Sequence, residues 1–163
     1  MAIEIERKFL VRDTRMLAGV PGVHMRQGYL AISGARSGRD VGMTVRVRIA
    51  GPQAWLTLKG DTHGISRSEF EYAVPVADAE AMLACCPWPV LEKTRHRLPV
   101  GAHVFEVDVF HGGLAPLVLA EVELRAEDEA FPRPAWLGDD VSDDPQYRNS
   151  ELAARLGRAA GKP

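Results

Sequence analysis

A chain of 163 residues fits one ordinary domain, and 46% hydrophobic residues give it a core to bury. Its 20 basic and 22 acidic side chains leave a formal charge of -2, which excludes a general affinity for nucleic acid or for a membrane surface. Its two cysteines, Cys85 and Cys86, are adjacent, which excludes both a disulfide framework and zinc-ligand spacing.

Residues 2–11 alternate, with Glu4, Glu6 and Lys8 on one parity and Ile3, Ile5 and Phe9 on the other. Alone, this stretch reads equally as a half-wet edge strand or as a helix start, since Glu4 and Lys8 also stand at i,i+4. Its charge and its early entry into a strand lead to an expectation of no signal peptide and a cytoplasmic protein with reduced cysteines. No run reaches the roughly 18 apolar residues of a membrane span. A helical turn capped by Asp13 is expected at 13–17, and a turn at 20–22. Strands are expected at 25–32, 43–50, 54–59 and 66–74. Between the first two lies a basic, Gly-rich loop at 33–42, and short turns at 51–53 and 60–64 join the others. The period then changes. Residues 76–86 carry helix formers, with Asp78 as the cap and Pro87 and Pro89 as the stop. Strands resume at 90–99, 102–110 and 116–125. An acidic, Pro-rich tail follows from about 126, and a helix at 147–161 is capped by Asn149 or Ser150. Eight strands joined mostly by short turns predict a mainly β, α+β protein: an antiparallel barrel with a few flanking helices.

Six of these strands repeat one sign of charge on one parity. The acidic pairs are Glu4/Glu6, Glu69/Glu71, Glu106/Asp108 and Glu121/Glu123; the basic pairs are Arg46/Arg48 and Lys93/Arg95, with Lys8 and Lys59 as singles. Like charges side by side destabilise a sheet, so something between them must compensate. If the apolar parity filled the barrel, the charges would point outward and act separately. If it lay outside, under helices or another subunit, the charges would line the lumen. A dry lumen of that kind is excluded by the cost of burying ions, which is several kcal/mol each even after relaxation. A wet tunnel for a polyanion with divalent cations is consistent with it. Carboxylate oxygens suit magnesium or manganese, which bridge them to phosphate oxygens.

The blocks "EIERKFLV", "QGYL", "VRVR", "LTLK", "RSEFEY", "EKTR", "FEVDVF", "LAEVEL" and "YRNSELA" stand in this order across roughly residues 3–153. Together they resemble the CYTH superfamily, the triphosphate tunnel metalloenzymes, whose signature is ExExK; the length is similar to that of the compact bacterial members. The resemblance implies a single CYTH domain over 1–163, the inverted barrel with charges inside, and a triphosphate substrate. By motif, it implies Glu4, Glu6, Asp108, Glu121 and Glu123 as metal ligands. Glu71 and Glu106 join them, with orientation of the basic residues as the open alternative. It implies Lys8, Arg46, Arg48, Lys59, Lys93 and Arg95 as the phosphate cradle. Lys8, Tyr29 and Glu69 take the catalytic roles, with Tyr29 reaching the lumen beside Lys8, and Glu69 or Glu121 accepting the proton of the attacking water.

The expected activity is hydrolysis of the terminal phosphoryl group of a triphosphate, inorganic tripolyphosphate first, by water activated on Mg2+ or Mn2+. The alternatives are a thiamine or nucleoside triphosphatase, a class IV adenylate cyclase, or a polyphosphate-binding module without turnover. There is no Walker loop and no nucleophilic Ser or Cys arrangement. His24, His63, His96, His103 and His111 read as surface residues, Trp55 as a packing residue and Trp88 and Trp136 as core or subunit contacts. Arg97 is placed at the tunnel mouth, and Arg36 and Arg39 in the loop where a polyanion would enter. No membrane or nucleic-acid partner is expected; a homodimer would cover an apolar barrel exterior.

Overall fold

The structure is a computed structural model that describes residues 2–33, 42–61 and 63–161. Where period-two alternation meets turn residues, a strand forms: β1 (Ala2–Val11), β2 (Gly22–Ala31), β3 (Thr44–Ala50), β4 (Gln53–Lys59) and β5 (Ser66–Val74), then β6 (Leu91–Val100), β7 (His103–Phe110) and β8 (Val118–Glu123); a short β9 (Leu137–Asp140) forms without it. The β3–β4 and β6–β7 hairpins turn through Gly51 and Gly101, whose positive φ values of 55° and 63° spare the strain a side chain would bring. The helices are α1 (Val76–Ala84) and α2 (Asn149–Ala159).

All pairings are antiparallel, in the order β5-β4-β3-β2-β6-β7-β8-β1, and β1 closes the barrel by pairing with β5 as well as β8. Its first half faces β5 (Ala2↔Glu69 to Ile5↔Ser66) and its second half faces β8 (Glu6↔Glu123 to Leu10↔Leu119). β9 continues along β1 at Phe9↔Asp140 and Val11↔Leu137.

The apolar parity lies outside. Val47, Ile49 and Ala54 pack beneath Ala79 and Leu83 of α1. Phe9, Phe105, Val107, Ala120 and Val122 pack beneath the segment that carries Phe131 and Trp136. Within the barrel only one end is apolar. There Tyr29, Leu91, Phe110 and Leu119 meet Leu152 and Ala153 of α2, which closes that end. No helix among the described residues is long and apolar enough to cross a membrane.

Several boundaries differ from expectation, each for a physical reason. β2 begins at Gly22, read as a turn, because Gly22 already pairs with His96; the same position could not hold a Cβ, which would meet Thr94 at 2.5 Å. α1 is capped by Pro75 rather than Asp78; the Pro75 carbonyl accepts from Ala79 N, and Asp78 sits inside the first turn. α2 is capped by extended Arg148, so Asn149 and Ser150 are already helical. The short 3-10 turn Arg15–Leu17 begins at Thr14, which makes no side-chain cap bond; Asp13, the expected cap, stands one residue earlier, and its carboxylate accepts from Arg15 N at 2.8 Å. The ninth strand falls in the tail, where "LGDD" shows no alternation. Most of the Gly-rich loop, with Arg36 and Arg39, lies outside the described residues.

Candidate active site

Because the apolar parity is covered, the charged parity lines a cavity of about 630 Å³. Cross-strand register sets what meets what. On one wall Glu4 stands opposite Arg67, Lys59 opposite Glu69, Lys8 opposite Glu121 and Glu6 opposite Glu123. Lys59 Nζ donates to both oxygens of Glu4 (2.9 and 3.1 Å) and pairs with Glu69 at 2.7 Å. Arg67 Nε donates to Glu4 at 2.6 Å, and its Nη2 reaches Glu6 at 3.4 Å. Burial pushes the Glu4 carboxyl up, but Lys59 and Arg67 outweigh it and hold the group at about 2. Glu6 is the opposite case: burial, then the Glu121 carboxylate, push it up to about 7.

Lys8 is fixed from three sides. It pairs with Glu121 at 3.0 Å and Glu6 at 3.9 Å, and donates to the Tyr147 carbonyl at 3.3 Å. Burial opposes its charge, yet Glu121 and Glu6 raise its pKa. Tyr29 is buried beside it on the cavity wall; Gln27 Nε2 donates to its hydroxyl at 3.0 Å, and burial raises its pKa, so it stays a protonated donor.

A second wall comes from β6, β7 and β8. Lys93 donates to Asp108 at 2.5 Å, and Arg95 donates to both Asp108 oxygens at 2.7 Å and to Glu121 at 2.9 Å. Arg95 also bonds Glu106, which in turn lies 3.7 Å from the exposed Arg97 at the rim. Despite burial, Lys8, Arg95 and Lys93 hold Glu121 well below the usual carboxylate range, and Lys93 and Arg95 do the same for Asp108. The third wall is β3–β5, where Glu71 accepts from Arg46, Arg48 and the Thr57 hydroxyl (3.3, 3.2 and 2.7 Å). The Nε donors of Arg46 and Arg48 are buried and have no partner among the described residues.

The cavity thus gathers Glu4, Glu6, Lys8, Tyr29, Arg46, Arg48, Lys59, Glu69, Glu71, Arg95, Glu106, Glu121 and Glu123. It does not include Lys93 or Asp108, expected as phosphate and metal groups. Both are 1% exposed behind Arg95, and both Asp108 oxygens are already taken, which makes them a support for Arg95. Glu71 and Glu106 are likewise fastened to arginines. Glu123 alone of the acidic pairs makes no ion pair among the described residues. His103, expected on the surface, stands at the rim and pairs with Glu129 at 3.0 Å. Trp55 lies under the Arg48 guanidinium, 5.2 Å from its ring centre, and Trp88 and Trp136 pack in the apolar clusters.

Three contributors escaped sequence reading. Thr57 and Gln27 are polar residues on charged strands and give little signal. Arg67 shares the parity of Glu69 and Glu71, and that spacing was a usable signal.

No three acidic, His or Cys side chains among the described residues form a ready-made metal group. The donor chemistry nonetheless fits a hard divalent cation. Glu6 and Glu121 are carboxylates crowded on adjoining strands, and the raised Glu6 marks like-charge stress that a cation relieves. Glu4 is held by Lys59 and, through one oxygen, by Arg67, so it joins them by giving up the Arg67 bond.

Comparison with known proteins agrees with this geometry. The CYTH domain profile matches residues 2–155. Inorganic triphosphatase from Acetivibrio thermocellus is 40% identical over 153 residues, covering 93% of this chain and 94% of that protein. Inorganic triphosphatase from Nitrosomonas europaea is 40% identical over 157 residues, covering 94% and 98%. The crystal structure of the inorganic triphosphatase NE1496 superposes with a TM-score of 0.66 at 35% identity, over 94% of this chain and 95% of that one. The PH1012 protein from Pyrococcus horikoshii, at 16% identity and a TM-score of 0.53 over 98% of this chain and 91% of that one, shares the fold.

Proposed function

The chain belongs to the CYTH domain family, and from that premise we propose that it is an inorganic triphosphatase, releasing orthophosphate from inorganic tripolyphosphate. The observation that carries this reading is the pair of buried Nε donors on Arg46 and Arg48, without a partner among the described residues, beside a cavity that also holds Lys8, Lys59 and Arg95. Buried donors without partners are rare, and a phosphate oxygen is the acceptor that matches a guanidinium.

Phosphoryl transfer needs positioning and charge neutralisation more than covalent help. Arg46, Arg48 and Arg95, each steadied by a carboxylate, hold the polyanion; Lys8 and the Tyr29 hydroxyl donate to oxygens at the apolar, closed end. The water oxygen bonds to the terminal phosphorus, the bridging P–O bond breaks, and pyrophosphate leaves with that electron pair. Glu69, whose carboxyl burial raises, is the better acceptor for the water proton, since Glu121 is held ionised by Lys8 and Arg95. The reaction is dependent on a divalent cation: magnesium or manganese, held by Glu4, Glu6, Glu121 and Glu123, supplies charge neutralisation and water activation when bound. Trp55 is already covered by Arg48, so it offers no platform for a base or a thiamine ring.

The test is phosphate release from tripolyphosphate, ATP and thiamine triphosphate with Mg2+ or Mn2+, for wild type and Glu6→Gln. Fast release from tripolyphosphate that Glu6→Gln abolishes is expected. Equal or faster release from ATP or thiamine triphosphate overturns the substrate assignment.

A further inference from the structure

Arg67 stands outside the set expected to hold phosphate or metal, yet it occupies the centre of the acidic wall. It faces Glu4 in register across β1 and β5. Its Nε donates to Glu4 at 2.6 Å and its Nη2 reaches Glu6 at 3.4 Å, so one guanidinium spans the two carboxylates of the first strand. Its side chain is 21% exposed and lines the cavity. Lys59, the other cation on Glu4, is only 8% exposed and has Glu69 as a second partner. Both hold two carboxylates, but Arg67 is the more exposed, and so the one with room to move.

We infer that Arg67 is an internal counter-ion: it occupies Glu4 and Glu6 in place of a divalent cation, and must be displaced before both can bind one. A divalent cation on those oxygens would stand beside the guanidinium and repel it, so cation and guanidinium compete. Once released, the guanidinium carries its N–H donors into the cavity, where the oxygens of an incoming polyanion give it a bidentate acceptor. The exchange couples the two ligands. A cation arriving alone leaves Arg67 to the carboxylates that remain on the cavity wall; a cation arriving with a polyphosphate gives Arg67 a new bidentate partner. Arg67 is therefore a positioning residue that makes the tunnel prefer the cation–polyphosphate complex over the free ion. The identity of the polyanion rests on the triphosphatase reading; the competition at Glu4 and Glu6 does not.

The test is Mn2+ binding to the protein alone, followed by electron paramagnetic resonance of the free ion, for wild type, Arg67→Gln, Arg67→Ala and Arg67→Lys. With the competitor gone, Arg67→Gln and Arg67→Ala bind free Mn2+ about tenfold more tightly than wild type, the scale of one charge-assisted contact. Arg67→Lys falls between. In turnover the same variants raise KM for tripolyphosphate more than they lower kcat. If Arg67 only held Glu4 and Glu6 in place, its loss would weaken Mn2+ binding. Affinity that is unchanged or lower in the variants therefore overturns the inference. Circular dichroism confirms folding, and Arg67→Lys keeps the comparison readable if Arg67→Ala does not fold. A wild type inactive on tripolyphosphate would sink the triphosphatase reading while leaving the Mn2+ comparison intact.

Discussion

On β6, β7 and β8, Lys93, Arg95, Asp108 and Glu121 form an ion network almost wholly out of solvent, whereas on β1 and β5 Glu4, Glu6 and Arg67 keep 17–23% of their side chains in contact with the cavity. The first wall is over-determined: Asp108 accepts three bonds and Arg95 serves three carboxylates. The second holds its charges by fewer bonds and contains Glu6, which burial and Glu121 push up to about 7. One wall is a scaffold that aims Arg95; the other is a set of ligands in temporary company. Breaking a buried pair leaves an ion without compensation, while an exposed pair is worth little.

The sharpest way to break this comparison is Asp108→Ala. Stranding Lys93 and Arg95 should cost roughly 3–5 kcal/mol, a fall in Tm on the order of 10 °C for a chain of this size, read by calorimetry. Glu4→Ala, on the more open wall, takes one carboxylate from Lys59 but leaves it Glu69, and leaves Arg67 its bond to Glu6, so it should cost less, about 1–3 kcal/mol; equal losses would erase the distinction between the walls. Glu6→Gln should lower kcat by about a hundredfold or more with Tm unchanged or raised, because the amide removes a carboxylate that burial opposes. A fall in Tm matching that of Asp108→Ala would make Glu6 part of the scaffold.

The pH dependence sharpens the same contrast. Between the unfolded value of 4.5 and about 7, the folded state keeps the Glu6 proton that the unfolded state has lost. The contribution of Glu6 to stability therefore declines as pH rises through that window. Mn2+ competes with the same proton, so its affinity should rise toward pH 7 by up to about tenfold per unit. Titrations of wild type against Glu6→Gln check both, and a slope that survives in Glu6→Gln assigns the effect to another group. The smallest effect belongs to Trp55→Ala, which removes one cation–π contact from Arg48 and should raise KM for tripolyphosphate by only about two- to fivefold, since Arg48 keeps its bonds to Glu71.

Much of the barrel was legible because a half-covered strand must alternate, and eight segments did. The parity of the charges was legible for the same reason. Their partners were not. Nothing local says that Glu4 meets Arg67, that Glu71 fastens both Arg46 and Arg48, or that Asp108 lies behind Arg95 rather than in the lumen. These depend on register between distant strands, which closure decides. β9 was hidden because "LGDD" is held by pairing with β1 and by burial of Leu137, not by any period of its own.

The double pairing of β1 has a consequence for how the protein is made. This strand is synthesised before its partners on β5, β8 and β9, which come progressively later in the chain. Pairings so distant in sequence form slowly, because the intervening loop must be closed before any contact rewards it. Glu6 and Lys8 face Glu123 and Glu121 only when β8 has been synthesised, so the nascent chain has no partial site to work with. Until β5 and then β8 arrive, Ile3, Ile5 and Phe9 ride on a strand with an open edge, a hazard for aggregation. The last step of closure and the first appearance of the catalytic cavity are thus one event, and a message cut short before β8 yields an inert sheet rather than a weaker enzyme.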